Sequence, residues 1–339
     1  MFLLYLAGFS FPMVFFVLLY CKSCGLFLDK VPLPLYHKTK KGAVRMIHPQ
    51  KFDPRQVMIR PDFELQFKRD AHLQDVQLHH HDFYEVYYLL SGNVTYTVES
   101  RLYRVMPGDL LLINPRELHQ VCIRPEMSVY ERYTLWVAPH LLQRLSSPST
   151  DLAHCFDPGR SNYSNLFKVK PNDQTGIQRL FESLWQEYNS SAYGADLLRE
   201  SLLSQLLVEV NRIADQDDGR SRENARSSPL VAAAVEYVNS HYSEPLSLDL
   251  LAEQCFVSKY HLSHEFNRQM GTSVHRYILK KRLLNARWLL AKGLSPSQVY
   301  NRCGFGDYTG FYRAFRAEYG IAPKEYFLSV QAGSTDQRE

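Results

Sequence analysis

The carboxy-terminal third of the chain repeats itself. A shift of 49 positions lays Phe256 on Phe305, Leu262 on Phe311, Phe266 on Phe315 and Gly271 on Gly320. Apolar residues four apart put Leu262, Phe266 and Met270 on one face of a helix, and Phe311 and Phe315 on one face of another. Each copy reads as a short helix, a tight turn, and a second amphipathic helix closed by glycine. Ser247 and Ser258 stand where the first copy needs N-caps. In the second copy Ser295-Pro296-Ser297-Gln298 supplies a capping serine, a proline at the first helical position and a glutamine at the third, and Asp307 caps the next helix. From Leu230 to Tyr326 the chain is thus nearly all helix, and its architecture must accommodate two copies of one small unit.

Two short helices joined by a tight turn also serve as a plain packing module. The outer faces weigh against that reading. Tyr260, Ser263, His264 and Asn267 lie opposite the apolar stripe of the first copy, and Thr309, Tyr312, Arg313 and Arg316 opposite that of the second. A polar, partly basic second helix suits the major groove, where its side chains reach base edges. The segment 274–293, VHRYILKKRLLNARWLLAKG, joins the copies without an internal proline and carries Ile278, Leu283, Ala286, Leu289 and Leu290 for burial. As a helix it spans about 30 Å, close to the ~34 Å between successive major grooves on one side of DNA. Lys280, Lys281, Arg282 and Arg287 lie on it; a solvated face explains most such charges, and phosphate contacts explain some.

Bulk charge contributes nothing to this argument. With 39 basic and 35 acidic residues the net charge is +4, so any case for nucleic acid rests on local arrangement. Six cysteines in 339 residues form no disulfide framework, and Cys21 and Cys24 are a lone C-x-x-C without the second pair a structural zinc site needs. Residues 1–20 carry no charge and just reach the length of a membrane span. Three readings stand open there: a start assigned too early, with translation beginning at Met46 or Met58; an anchor with the bulk of the chain in the cytoplasm; and a signal peptide.

Between these ends the periodicity changes twice. Residues 31–57 hold Pro32, Pro34, Pro49 and Pro54 among basic residues and read as a linker. From about Phe63, short alternating runs such as NVTYTVES, EVYYLL, DLLLIN and SVYERYTLWV alternate with turn signals at Ser91-Gly92-Asn93 and Pro107-Gly108-Asp109, the pattern of a barrel or sandwich. After Asp173 helical stripes appear: Ile177, Leu180, Phe181, Leu184, Trp185 and Tyr188, then Leu198, Leu202, Leu203, Leu206, Leu207, Val210 and Ile213. These serve as core or as a dimer seam. Residues 214–229 are polar and aperiodic, an interdomain linker.

The stretch HHHDFYEVYYLLSG, residues 79–92, holds the other chemical signal. His79, His81 and Glu85 fit H-x-H-x-x-x-E, with Gly92 following, and His119 lies further on. Imidazoles and a carboxylate suit zinc, iron or manganese, hydrogen bonds to a polar effector, or a structural cluster; the residues alone leave all three open. His80 alternates outward, toward solvent. Arg132 and Thr134 on a later strand can share the pocket, and Trp136 reads as ordinary strand packing.

The run LAEQCFVSKYHLSHEFNRQMGTSVHRYILKKRLLNARWLL, followed by GFGDYTGFYRAFRAEYGIAPKEY, closely resembles the AraC/XylS family of bacterial transcriptional regulators. The likeness covers about 100 residues. It implies two helix-turn-helix units on promoter DNA, with base contacts at Tyr260, Ser263 and His264 in the first and Thr309 and Arg313 in the second. His264 replaces an arginine common at its position. The family also accounts for the histidine stretch as a first cupin motif. The second motif fits loosely: Gly108 and His119 match, while Asn114 and Arg116 stand where it has proline and glycine.

The fold expected is α+β: an amino-terminal cupin-like β-barrel with supporting helices, then an all-α double helix-turn-helix domain. The boundaries are 1–57 for leader and linker, 58–170 for the barrel, 171–213 for helices serving dimerisation, 214–229 for a linker and 230–330 for DNA binding. DNA contacts fall to Tyr260, Ser263, His264, Thr309, Arg313 and Arg316, and effector contacts to His79, His81, Glu85, His119, Arg132 and Thr134. No cofactor is required; a divalent metal, if bound, would use His79, His81, Glu85 and His119. The expected partners are promoter DNA, a small-molecule effector (a sugar, by family analogy), a second copy of the chain, and RNA polymerase if the protein activates. A metal-cupin enzyme is the rival reading, and the repeat argues against it. The expected location is the cytoplasm.

Overall fold

The computed structural model describes residues 56–70, 76–123, 129–160, 163–217 and 225–335, and the backbone of four short strands before residue 47. Contacts divide the chain into two units, Met1–Phe52 and Asp53–Glu339. In the first, β1 (Phe16–Tyr20) pairs antiparallel with β2 (Phe27–Pro32), and β3 (Tyr36–Lys38) with β4 (Val44–Met46). Most of the apolar leader, with Cys21 and Cys24, lies outside the described residues. Among the described residues no helix is long and apolar enough to cross a membrane.

The second unit begins with two antiparallel sheets. One has five strands, in the order β12 (Leu166–Lys168), β9 (Asp109–Ile113), β6 (Tyr84–Ser91), β11 (Tyr130–Val137) and β5 (Phe63–Asp70). The other runs β10 (His119–Ile123), β7 (Val94–Val98), β8 (Arg101–Val105) and β13 (Ala225–Arg226). The end of the polar segment 214–229 therefore does more than link: it adds an edge strand to the second sheet.

Register fixes what each face of the large sheet carries, because successive side chains alternate. Trp136 stands opposite Glu85, Thr134 opposite Tyr87, and Arg132 opposite Leu89 and Lys68. The other face carries Val86, Tyr88, Leu110, Leu112, Tyr133 and Leu135, which share a core with two helices. These are α2 (Pro171–Tyr188), contributing Ile177, Phe181 and Leu184, and α3 (Ala195–Asp215), contributing Leu203, Leu206, Leu207 and Val210; α1 (Pro139–Leu145) adds Leu141 and Leu142. The Tyr88 and Tyr133 rings stack on Phe181 at 5.3 and 5.2 Å. The two predicted stripes are thus largely core. The exception is the start of α3, where Tyr193, Leu197 and Leu198 are exposed.

Among the described residues the carboxy-terminal part has seven helices: α4 (Pro229–His241), α5 (Leu248–Gln254), α6 (Lys259–Met270), α7 (Val274–Ala291), α8 (Pro296–Arg302), α9 (Tyr308–Tyr319) and α10 (Pro323–Thr335). They close around two cores. One gathers Leu251, Leu262, Phe266, Met270, Tyr277 and Ile278; the other gathers Leu283, Ala286, Leu290, Val299, Phe311 and Phe315. The caps are as the sequence predicts: Ser247, Ser258 and Asp307 accept from backbone N–H groups three residues on, and Ser295 forms a capping box with Gln298.

One equivalence read from the repeat is corrected. Val257 N–H donates to the Ala252 carbonyl as Phe305 N–H does to Tyr300, so the turns correspond at a shift of 48. The counterpart of Phe256 is therefore Gly304, not Phe305. Both residues have positive φ, +55° and +73°, because a helix that ends this way needs a left-handed residue just past its C-cap. Gly306 is the extra residue that restores the shift of 49 in the following helix.

Candidate nucleic-acid interface and effector pocket

Helices α6 and α9 each bury one stripe and leave the opposite face uncovered. Tyr260, Ser263 and His264 are exposed on α6, and Thr309, Arg313 and Arg316 on α9. Each helix is fixed at its start by a side-chain cap and at its end by a left-handed glycine, Gly271 or Gly320. The two are joined by α7, whose 18 residues give a rod of about 27 Å.

The four cations of α7 named from the sequence, Lys280, Lys281, Arg282 and Arg287, are not on a solvated face. Lys280 pairs with Glu318 and Lys281 with Glu99, and both lysines are buried. Arg282 donates to the Tyr242 and Glu244 carbonyls at 2.8 and 2.7 Å. Arg287 donates to Asp82 at 2.6 Å and lies over the Tyr319 and Tyr326 rings. Sequence reading missed these partners, which come from distant parts of the chain. Burial opposes ionisation of Glu99, but Lys281 and Tyr277 outweigh it and hold the carboxyl below its usual range.

The barrel interior gathers the six residues expected to meet an effector. His81 Nε2 lies 3.0 Å from Glu85 Oε2, and the His79 and His119 rings are 4.1 Å apart. Arg132 and Thr134 are buried on the same sheet face as Glu85. Three tyrosines join them that the sequence reading did not assign to the pocket, although the β6, β7 and β11 alternation carried the signal. Tyr87 and Tyr130 share a hydrogen bond of 2.7 Å, Tyr96 packs on Tyr87, and Arg132 lies 4.0 Å above the Tyr130 ring. Lys68 lies on the same sheet face as Arg132 but at its exposed end; partial desolvation there, then Arg132, lowers its pKa.

Two polar atoms of this interior, among the described residues, are buried without a hydrogen-bond partner: His119 Nε2 and Trp136 Nε1. One is an acceptor and the other a donor. The first assignment follows from His119 Nδ1, which donates to the Glu117 carbonyl at 3.0 Å and leaves a lone pair on Nε2. Burial, then His81, pushes the His119 pKa down to about 4. His79 and His81 are oriented in the same way, by the Gln77 and Phe83 carbonyls, each at 2.8 Å. Trp136, read as strand packing, does pack, against Phe83 at 4.7 Å.

These features also test the metal reading. Ligand atoms of His81, Glu85 and His119 lie within 4.8 Å of one another, and all three residues are buried. A histidine whose Nδ1–H is held by a carbonyl presents Nε2 as a metal-ligating histidine does. The donor set fits a divalent cation with three ligands, and His79 is not one of them.

His80 is corrected. It is buried, not solvent-facing, and its Nε2 lies 3.1 Å from Tyr319 Oη on α9. The alternation holds, but the outward face of this segment is covered by the helical domain. Leu78 joins the core of the first helix-turn-helix unit and Asp82 holds Arg287.

Comparison with known proteins agrees with this division. Residues 60–207 match a family described as AraC-like ligand binding domain, and residues 251–329 one described as helix-turn-helix domain. The HTH-type transcriptional activator RhaS of Enterobacter sp. (strain 638) is 25% identical over 248 residues, covering 73% of this chain and 86% of that protein. The HTH-type transcriptional regulator YbfI of Bacillus subtilis (strain 168) is 26% identical over 235 residues, covering 69% and 81%. Among solved structures, ToxT from Vibrio cholerae O395 is 14% identical, covers 80% of this chain and 99% of that one, and aligns with a TM-score of 0.31. The C-terminal domain of AraT from Geobacillus stearothermophilus is 30% identical over 30% of this chain and 86% of its own, with a TM-score of 0.30.

Proposed function

Since this chain belongs to the AraC family of DNA-binding transcriptional regulators, with a ligand-binding half and a helix-turn-helix half, we propose that it places α6 and α9 in adjacent major grooves of a promoter and responds there to a polyhydroxylated effector, a sugar, held in the barrel. The observation that carries the DNA reading is the pair of capped helices with exposed polar faces, set apart by a rod close to one helical turn of DNA. Tyr260, Ser263 and His264 read one groove and Thr309, Arg313 and Arg316 the next. Arg313 is the residue best suited to specificity, because its planar fork can bind guanine bidentately. Arg313→Ala should cost about 1–3 kcal/mol at the specific site, measured by fluorescence anisotropy on a cognate duplex. Unchanged affinity and sequence preference would sink the assignment.

The pocket reading rests on its unmatched donor and acceptor. Trp136 Nε1–H can donate to a hydroxyl group that in turn donates to His119 Nε2 or Glu85. His79, His81, Arg132 and Thr134 complete a polar lining. A bound metal is the second reading. His81, Glu85 and His119 would hold it, and it would offer a Lewis-acidic position to an oxygen-bearing effector. Melting of the full chain across a panel of sugars, with and without a chelator, separates the two, because a ligand of the native state raises the melting temperature. A sugar-specific rise that survives the chelator supports the sugar reading. A fall with chelator, reversed by one divalent metal, supports the second, and no response to either would exclude both. We further propose a homodimer formed through the start of α3, action in the cytoplasm, and contact with RNA polymerase where the promoter is activated. The family is one of regulators, not of enzymes.

A further inference from the structure

Among the described residues of the barrel, two that are not glycine have positive φ: Glu99 at +51° and Arg116 at +77°. An L-residue adopts this backbone at a cost, and such strain persists only where the surroundings require it. Position 116 is also where the second barrel motif has glycine, which would take the same φ freely.

Both side chains end on the same helix. Glu99 accepts from Tyr277 Oη and from Lys281 Nζ, each at 2.7 Å, and also from the Leu118 N–H at 2.8 Å and Asn239 Nδ2 at 3.5 Å. The Arg116 guanidinium lies 5.0 Å from the centroid of the Trp288 ring, on a tryptophan that remains 40% exposed. Lys281 and Trp288 are seven residues apart, two turns along one face of α7. Next to them Asp82 holds Arg287. The barrel also reaches both reading units directly. Gln269 donates to the Ser100 carbonyl at 2.6 Å and Gln120 to the Met270 carbonyl at 3.0 Å on the first, and His80 meets Tyr319 on the second. Since α7 spaces the two readers, a grip along its length sets how they stand to each other. The two carboxylates in that grip also cancel positive charge on the half that must approach phosphate.

We propose that Glu99 and Arg116 form a strained clasp on α7, and that the closed clasp is the weaker DNA-binding arrangement. Arg116 occupies a glycine position because the barrel needs a guanidinium there to reach Trp288. Opening the clasp frees α7 to adjust to the groove spacing. The proposal rests on the reading of this chain as a regulator whose barrel governs its DNA-binding half.

The test uses the full chain with Arg116→Ala, Arg116→Gly and Trp288→Leu. Both Arg116→Ala and Trp288→Leu remove the Arg116 arm of the clasp and leave the strain at position 116 in place; Arg116→Gly removes that arm and the strain. All three should raise promoter affinity, by roughly fivefold or more if the coupling is of ordinary size. All three should also split a single calorimetric transition into two. Only Arg116→Gly should raise the melting temperature of the barrel, by about 2–4 °C. Affinity within twofold of wild type together with one unsplit transition in Arg116→Ala and Trp288→Leu would overturn the clasp. Split transitions with reduced affinity would overturn its inhibitory sense. The calorimetric readout needs no DNA, so a failure of the DNA reading, seen as unchanged affinity in Arg313→Ala, remains distinguishable from a failure of the clasp.

Discussion

Phe256 shows how much and how little one residue reveals. It lies in the turn of the first helix-turn-helix unit, is 95% exposed, and has the left-handed backbone that Gly304 adopts in the second. Matching residue types suggested Phe305 as its partner; the hydrogen bonds assign Gly304. The strain is local and the ring buries almost nothing, so Phe256→Gly should stabilise the protein by about 1 kcal/mol, read as a higher denaturant midpoint at constant slope. A lower midpoint would mean that the ring is packed in solution. At the same scale, His79, His81, Glu85 and His119 were legible, since barrel alternation sends them to one side. The environment of His80 was not. Alternation says that a side chain leaves the barrel, but not that a helix 239 positions along the chain is waiting for it.

At the scale of elements, the helices were legible because their signals are local. Four caps, two closing glycines and the apolar stripes all lie within a few residues of what they fix. The stripe over 198–213 shows the limit of that information. Leu203, Leu206, Leu207 and Val210 are core, while Leu197 and Leu198, one turn earlier, are 69% and 49% exposed. Periodicity cannot separate a face that meets the sheet from one that meets a second chain. The double variant Leu197→Ser/Leu198→Ser should therefore leave folding stability within about 0.5 kcal/mol and shift the protein from dimer to monomer in sedimentation equilibrium. A dimer of undiminished affinity would place the seam elsewhere. Strand β13 was equally hidden, since Ala225–Arg226, which pairs with β8, sits in a polar, aperiodic segment.

The whole molecule was the least legible. Charge counting read Lys280, Lys281, Arg282 and Arg287 as surface, whereas Glu318, Glu99, two carbonyls and Asp82 take up all four. Those partners come from other domains and other helices, and no spacing rule reaches that far. The division into a ligand-binding half and a helix-turn-helix half was nonetheless visible from the repeat and the histidine stretch. What the fold adds is their mutual contact: His79 and His81 lie one residue from His80 and Asp82, which touch Tyr319 and Arg287 of the DNA-binding half. The central claim is that α6 and α9 read two adjacent grooves as a pair. Selection of bound duplexes from a random DNA pool by the full chain tests it most directly. The account predicts two enriched half-sites about 10–10.5 base pairs apart, with the preference at one half-site relaxed by Arg313→Ala. Recovery of a single half-site, or of no sequence preference at all, would contradict it.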